Sequence, residues 1–360
     1  AAHPHEIVWT SGATEANNLA LRGIMRAHVR RGRHLVTGKT EHKAILDVCR
    51  SLAKEGCSIT CLDPEPTGLL DLERLAGALR PDTVLVSLTH VNNETGVAQD
   101  LAAIGTLTRE RGIFLHVDAA QSAGKLPIRL DTLPVDLLSL SAHKLYGPKG
   151  VGALFVRQHP NRVRLEPLLY GGGQERGLRA GTLPVHQIVA LGEACRIAGI
   201  EMADERGRLQ RLRDRLWSAL AELGGVTLNG HPERHWPGIL NVSFAGIAAE
   251  ALLAAMPDIA VSTGSACASA GDEPSHVLKA MGCDALRARG AVRFSLGRFT
   301  TAEEIDYTIA AVRAAVCRLR ALSPCWGERR AVPDAIDWAA PSPTPDDAGS
   351  TPAHPAPFAR

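Results

Sequence analysis

Short, unbroken apolar runs recur along the first two thirds of the 360-residue chain, and stretches with helical spacing lie between several of them. The runs fall at 7–9, 34–37, 58–62, 83–88, 113–117, 137–141 and 152–156, and the clearest helical patterns at 15–30, 44–54 and 101–111. A strand covered on both faces reads as continuous apolar sequence, and strand–helix alternation builds a parallel sheet with helices on either side. The predicted class is therefore α/β, with a mostly parallel central sheet flanked by helices.

After about residue 184 the character changes. A charged helical stretch at 203–223 leads to shorter strand signals at 239–244 and 291–295. An amphipathic helix follows at 303–322, with Ile305, Ile309, Val312, Val316 and Leu319 on one stripe. This predicts a large domain over 1–201 and a smaller C-terminal α+β domain over 202–326. A tail over 327–360 becomes rich in Pro, Ala, Ser and Thr and is expected to be disordered at its end.

Formal net charge is +2, which gives no reason to expect direct nucleic-acid binding. No apolar run approaches the ~18 residues a membrane span needs. The first residues lack the basic-then-apolar pattern of a secretory signal, and there is no initiating Met, so a processed chain or a fragment is read. Eight cysteines are scattered without C-x-x-C spacing, so no intrinsic metal site or disulfide framework is expected. A reducing cytosol is the expected compartment, with most of these cysteines acting as small buried hydrophobes.

Four segments carry chemistry. Thr10-Ser11-Gly12-Ala13-Thr14-Glu15 is a small-residue turn opening a helix, which suits a phosphate at the helix N-terminus. An ordinary Ser/Thr cap has the same pattern. Asp118 ends an apolar strand, where a buried carboxylate needs a partner; a pyridinium nitrogen is one, a salt bridge or a helix cap another. Lys144 directly follows the run 137–141, and burial there would favour the neutral amine that forms a Schiff base. Ser141 and His143 can donate to the same phosphate. Finally, Cys267 lies in a small, polar, Gly-containing stretch that reads as a mobile surface loop. An exposed thiol with a pKa near ~8.5 is roughly a tenth thiolate just above neutral pH, enough for a nucleophile.

The blocks TSGATEANNLAL, TEHKAILD, HVNNETGV, HVDAAQSAGK, SLSAHKLYGPKGVGAL, GGGQERGLRAGTLP, STGSACAS and AVRFSLGRFTTAEEIDYTI follow one another in order. Together they resemble the class V aminotransferase superfamily and, within it, cysteine desulfurases of the IscS and NifS type, over about residues 5–326. The resemblance implies the fold type I architecture of pyridoxal 5′-phosphate (PLP) enzymes and a homodimer. It implies that Lys144 carries the cofactor, Asp118 meets the pyridine nitrogen, and Asn93 and Gln121 touch the ring hydroxyl side. By the same likeness His42 stacks on the ring and helps move protons. Ala13, Thr14, Ser141 and His143 hold the phosphate, and Thr182 reaches the phosphate of the neighbouring subunit. Arg293 clamps the substrate carboxylate. Cys267 takes sulfur from L-cysteine as a persulfide, with alanine released.

Acceptors implied by the resemblance are an iron–sulfur scaffold, on which Cys267 becomes a transient cluster ligand, a frataxin-like regulator and a tRNA-thiolation relay. The family's usual N-terminal segment, with its Ala-Thr-Thr and Gly-Asn-Pro turns, has no match here, and its Asn would assist substrate binding. Two other readings stand beside the desulfurase: a selenocysteine lyase or other class V enzyme, and a truncated desulfurase that only docks partners.

Overall fold

A computed structural model describes residues 2–159, 162–263, 274–322 and 326. The first strands and helices are β1 (Ile7–Thr10), α1 (Ala13–Ala27), β2 (His34–Gly38), α2 (Lys43–Lys54), β3 (Ser58–Leu62) and α3 (Leu72–Ala78). They continue as β4 (Thr83–Thr89), α4 (Leu101–Glu110), β5 (Phe114–Asp118), β6 (Leu137–Ser141), β7 (Gly152–Val156) and the long helix α5 (Val185–Ala221). The remaining elements are β8 (Val226–Leu228), β9 (Ile239–Phe244), α6 (Ala249–Ala254), β10 (Ser262–Thr263), α7 (His276–Ala280), α8 (Ala285–Arg289), β11 (Ala291–Ser295) and α9 (Ala302–Leu322).

The large sheet has seven strands in the order β1-β7-β6-β5-β4-β2-β3. β7 alone runs antiparallel to both its neighbours, and the pairings from β6 through β3 are parallel. The expected mostly parallel sheet is what forms. One face packs on α1 and α2 through Leu19, Ile24, Ile45, Val48 and Leu85. The other packs on α3, α4 and the start of α5 through Leu75, Ile104, Val117, Phe155 and Leu191. Double coverage is the physical reason that the strands read as continuous apolar runs.

The second unit is a four-stranded antiparallel sheet, β10-β11-β9-β8. Its core joins Leu209, Leu216, Leu240, Phe244, Leu252, Val312 and Val316. Ile305 and Val312 are buried, and Ile309 and Leu319 pack at the edge of this core, as the α9 stripe predicts. The helix predicted from residue 203 begins at Val185 instead, so the expected division at 201/202 falls inside α5. Gly192 and Gly199 do not break it, since each sits in open space on the helix. Strands β8 and β10 and helices α3 and α6–α8 were too short to show a period in the sequence.

The cysteines correct the sequence reading. Among those described, only Cys49 is buried; Cys57 and Cys283 are half-buried, and Cys61, Cys195 and Cys317 are exposed. Cys61 sits on β3, an edge strand, and the other two lie on the outer faces of α5 and α9, where no core needs their volume. Among the described residues no helix is long and apolar enough to cross a membrane.

The turn at 91–98 after β4 joins the two units. Trp236 N–H donates to Gly96 O (2.8 Å), Ala98 N–H to Arg234 O (2.9 Å) and Asn241 Nδ2 to Glu94 O (3.1 Å). Gly96 has φ +76°, and a Cβ there would stand 3.1 Å from Ile239 Cβ, so only glycine fits between the units.

A second close approach sits at the rim of the large sheet. A Cβ on Gly152 would lie 2.6 Å from Gly12 Cα and 2.6 Å from Leu140 O, and both neighbours are backbone. Gly152→Ala is therefore expected to cost about 1–3 kcal/mol by overpacking. Thermal unfolding checks this; a melting temperature equal to that of the parent chain would mean the Gly12 turn moves freely.

Candidate active site

β1, β4, β5 and β6 run in one direction and deliver their carboxyl ends to one rim of the sheet, where ligands bind in open α/β folds. At that rim Gly12 provides no side-chain cap for α1, so no cap side chain occupies the first-turn N–H groups at Ala13 and Thr14. The position a Gly12 Cβ would take is 3.7 Å from Ser141 Oγ, which places the end of β6 beside this turn. Ser141 Oγ is hydrogen-bonded to His143 Nδ1 at 2.8 Å. Burial, then the charges of Lys144 and Lys149, push the His143 imidazole down. Ala13, Thr14, Ser141 and His143 thus form one polar, N–H-rich corner.

Asp118 lies at the foot of this rim and is 4% exposed. Its Oδ2 accepts from Asn17 Nδ2 (2.7 Å) and its Oδ1 from Ala120 N–H (2.9 Å). Burial raises its pKa, opposed by these two hydrogen bonds and by His42. Asn17 Oδ1 is buried without a hydrogen-bond partner among the described residues. A carboxylate so placed is satisfied by hydrogen bonds and has no ion-pair partner among the described residues, and a protonated ring nitrogen can supply one. The donor set therefore fits PLP: N–H groups, a hydroxyl and an imidazole for a phosphate, and a buried acid for a pyridinium.

Glu41 adds a second buried acid. Its Oε2 accepts from Thr89 Oγ1 at 2.5 Å, and burial pushes its pKa to about 8, with Asp118 adding to the rise. The next residue, His42, caps α2: its Nδ1 accepts the Ala44 N–H at 3.1 Å. That leaves Nε2 as the nitrogen carrying the ring hydrogen.

Asn93 and Arg293 are 200 residues apart in sequence and meet here. Arg293 Nη1 donates to Asn93 O at 2.9 Å, and its Nε is buried without a protein acceptor among the described residues. The neighbouring Glu94 accepts a short hydrogen bond from Ser275 Oγ, which also caps α7. Burial raises the Glu94 pKa to about 7, against the pull of Ser275 and Arg293. Gln121 follows β5 and accepts from Lys125 Nζ at 3.2 Å.

One expectation ends differently, and two meet no test in a single chain. Lys144 is exposed, not buried: the 3-10 turn Ala142–Lys144 buries Ala142 and turns the two basic residues outward. Thr182 is exposed ahead of α5, and no hydrogen bond among the described residues joins it to the site. Cys267 lies outside the described residues. Asn17, Glu41, Glu94 and Lys125 were missed. Asn17 left a signal, because it is a polar residue on the buried stripe of α1 between Ala16 and Leu19.

The class V aminotransferase family model matches residues 1–308. Cysteine desulfurase IscS of Aeromonas salmonicida (strain A449) is 58% identical over 325 residues, 90% of this chain and 80% of that protein. A solved "NifS-like protein" aligns with TM-score 0.81 at 36% identity, covering 88% of this chain and 84% of that one. SspA, solved in complex with cysteine, aligns with TM-score 0.72 at 37% identity, covering 83% and 84%.

Glu41 yields a pH signature in the protein without cofactor. Its carboxyl would release a proton at 4.5 unperturbed and does so only near 8 in the fold. Over that window the folded chain keeps a proton that the unfolded chain loses, so stability falls as pH rises. Between about pH 5 and 8 the melting temperature should therefore drop more steeply for the parent chain than for Glu41→Gln. Parallel curves would mean an ordinary, ionised Glu41.

Proposed function

The chain belongs to the class V aminotransferase family as an IscS-type cysteine desulfurase, a PLP enzyme that takes sulfur from L-cysteine, and from that premise we propose how its residues divide the work. Bound at the sheet rim, PLP supplies an aldehyde that joins amines and a ring that takes up negative charge. Lys144 is the residue that carries it. Ala13, Thr14, Ser141 and His143 hold its phosphate, Asp118 keeps its ring nitrogen protonated, and Asn17 keeps Asp118 in place. Asn93 and Gln121 address the ring hydroxyl side. The buried Asp118 carboxylate, held by two donors and with no ion-pair partner among the described residues, is the observation that carries this reading.

Arg293 binds the substrate carboxylate. With one nitrogen tied to Asn93 O, the rest of its planar fork remains for a bidentate contact. His42 would move protons through Nε2, because Nδ1 is committed to the Ala44 N–H. The amine of Lys144 is the second group able to move a proton. Cys267 Sγ attacks the substrate sulfur, the carbon–sulfur bond breaks, and sulfur stays on Cys267 as a persulfide while alanine leaves. The persulfide then passes to an acceptor; an iron–sulfur scaffold and a tRNA-thiolation relay are the partners in view.

The purified chain with PLP and L-cysteine is expected to give alanine and, with a reducing thiol, sulfide. Cys267→Ser should keep the visible cofactor absorbance and lose persulfide formation; Lys144→Ala should lose the band that borohydride bleaches. Desulfuration at the parent rate by Cys267→Ser would reject the nucleophile, and an unchanged spectrum in Lys144→Ala would reject the site.

The homodimer belongs to the same reading. Leu169, Tyr170, Val185 and Val189 are 46%, 78%, 65% and 66% exposed, and they flank Thr182 in sequence. Large apolar side chains left this exposed are what a second copy would cover, and Thr182 would then reach that copy's phosphate corner. Val189→Glu should shift the mass in solution from dimer to monomer and weaken cofactor binding by about tenfold or more. A monomeric parent chain that binds PLP tightly would contradict this.

A further inference from the structure

Lys125 stands four residues beyond Gln121 on one compact turn after β5. Ser122 and Ala123 N–H both donate to Ala119 O, at 3.0 and 2.9 Å, and Lys125 N–H donates to Ser122 O at 3.0 Å. Gly124, at φ +67°, closes the turn. Lys125 Nζ reaches back to Gln121 Oε1 at 3.2 Å and lies 5.9 Å from the ring centre of the buried Trp236, which comes from the other unit. Burial, then the charge of Lys144, pushes the Lys125 amine down to about 8, and Glu205 opposes this. The two lysines are therefore electrostatic neighbours, although only Lys144 has a role so far.

An amide whose oxygen is occupied by a lysine has its NH2 left to offer. We propose that Lys125 is a positioning residue of the cofactor site, which holds Gln121 with Nε2 turned outward as a donor to the ring hydroxyl side of PLP. The inference rests on the assignment of Gln121 and Lys144 made above. Without Lys125 the Gln121 amide can rotate and present its oxygen to the electron-rich hydroxyl side, where it repels.

The test uses Lys125→Met, Lys125→Arg, Gln121→Ala and the double variant Lys125→Met/Gln121→Ala. Two readouts are independent of turnover: the dissociation constant for PLP, by equilibrium dialysis, and the pH midpoint of the absorbance change of the bound cofactor. Lys125→Met is expected to weaken PLP binding about tenfold, the scale of one lost charged hydrogen bond, and to move the midpoint. Lys125→Arg should restore most of both. In the Gln121→Ala background the Met substitution should add almost nothing, because its effect runs through that amide. Additive losses in the double variant would overturn the proposal. So would an unmoved midpoint with only a lower melting temperature, the mark of a residue that merely packs under Trp236. A Lys144→Ala control with the parent spectrum would remove the site itself, and this inference with it.

Discussion

Everything at the sheet rim is organised by one costly placement: the Asp118 carboxylate sits at the end of a strand buried on both faces. Taking such a group out of water is unfavourable unless hydrogen bonds and an opposite charge compensate. The chain supplies the hydrogen bonds from Asn17 and Ala120 N–H, and in the proposed site the cofactor would supply the charge. The nearby Glu41 meets the same low-polarity surroundings by holding its proton. Burial raises the pKa of both acids, and they differ in what holds them: Asn17 and Ala120 N–H for Asp118, Thr89 for Glu41.

The substrate end of the site is built by a different device. Arg293 belongs to the small antiparallel sheet, and Asn93 to the turn that leaves the large one. Their hydrogen bond forms only where the two units meet, and the turn at 91–98 is pinned there by Trp236, Arg234 and Asn241. The corner proposed for the cofactor is therefore a property of one sheet, whereas the proposed carboxylate clamp is a property of the joint between two.

How much of this the sequence revealed follows from how each feature is encoded. Doubly covered strands announce themselves as apolar runs, so all seven strands of the large sheet were found, and Asp118 and Lys144 were placed at strand ends correctly. The very short strands β8 and β10, and helices of one or two turns such as α3, carry too little period to be seen. The Lys144 amine was expected to be buried because it follows a buried strand; a single 3-10 turn is enough to reverse that. Ala13, Thr14, Asn93, His42 and Arg293 came by resemblance, since nothing in their own neighbourhoods tells a ligand from a cap or a surface cation. Asn17, Glu41 and Lys125 bond to Asp118, Thr89 and Gln121, and such supporting contacts are set by tertiary packing.

α5 runs unbroken for 37 residues, beginning against the large sheet and ending in the core of the small one. The two halves of the molecule are consequently not interchangeable cassettes. A genetic crossover at the compositional boundary near residue 201 would join two half-helices whose apolar faces come from different ancestors. Exchange of the C-terminal part between relatives would be tolerated best with the breakpoint ahead of Val185 or past Ala221, so this helix is inherited whole.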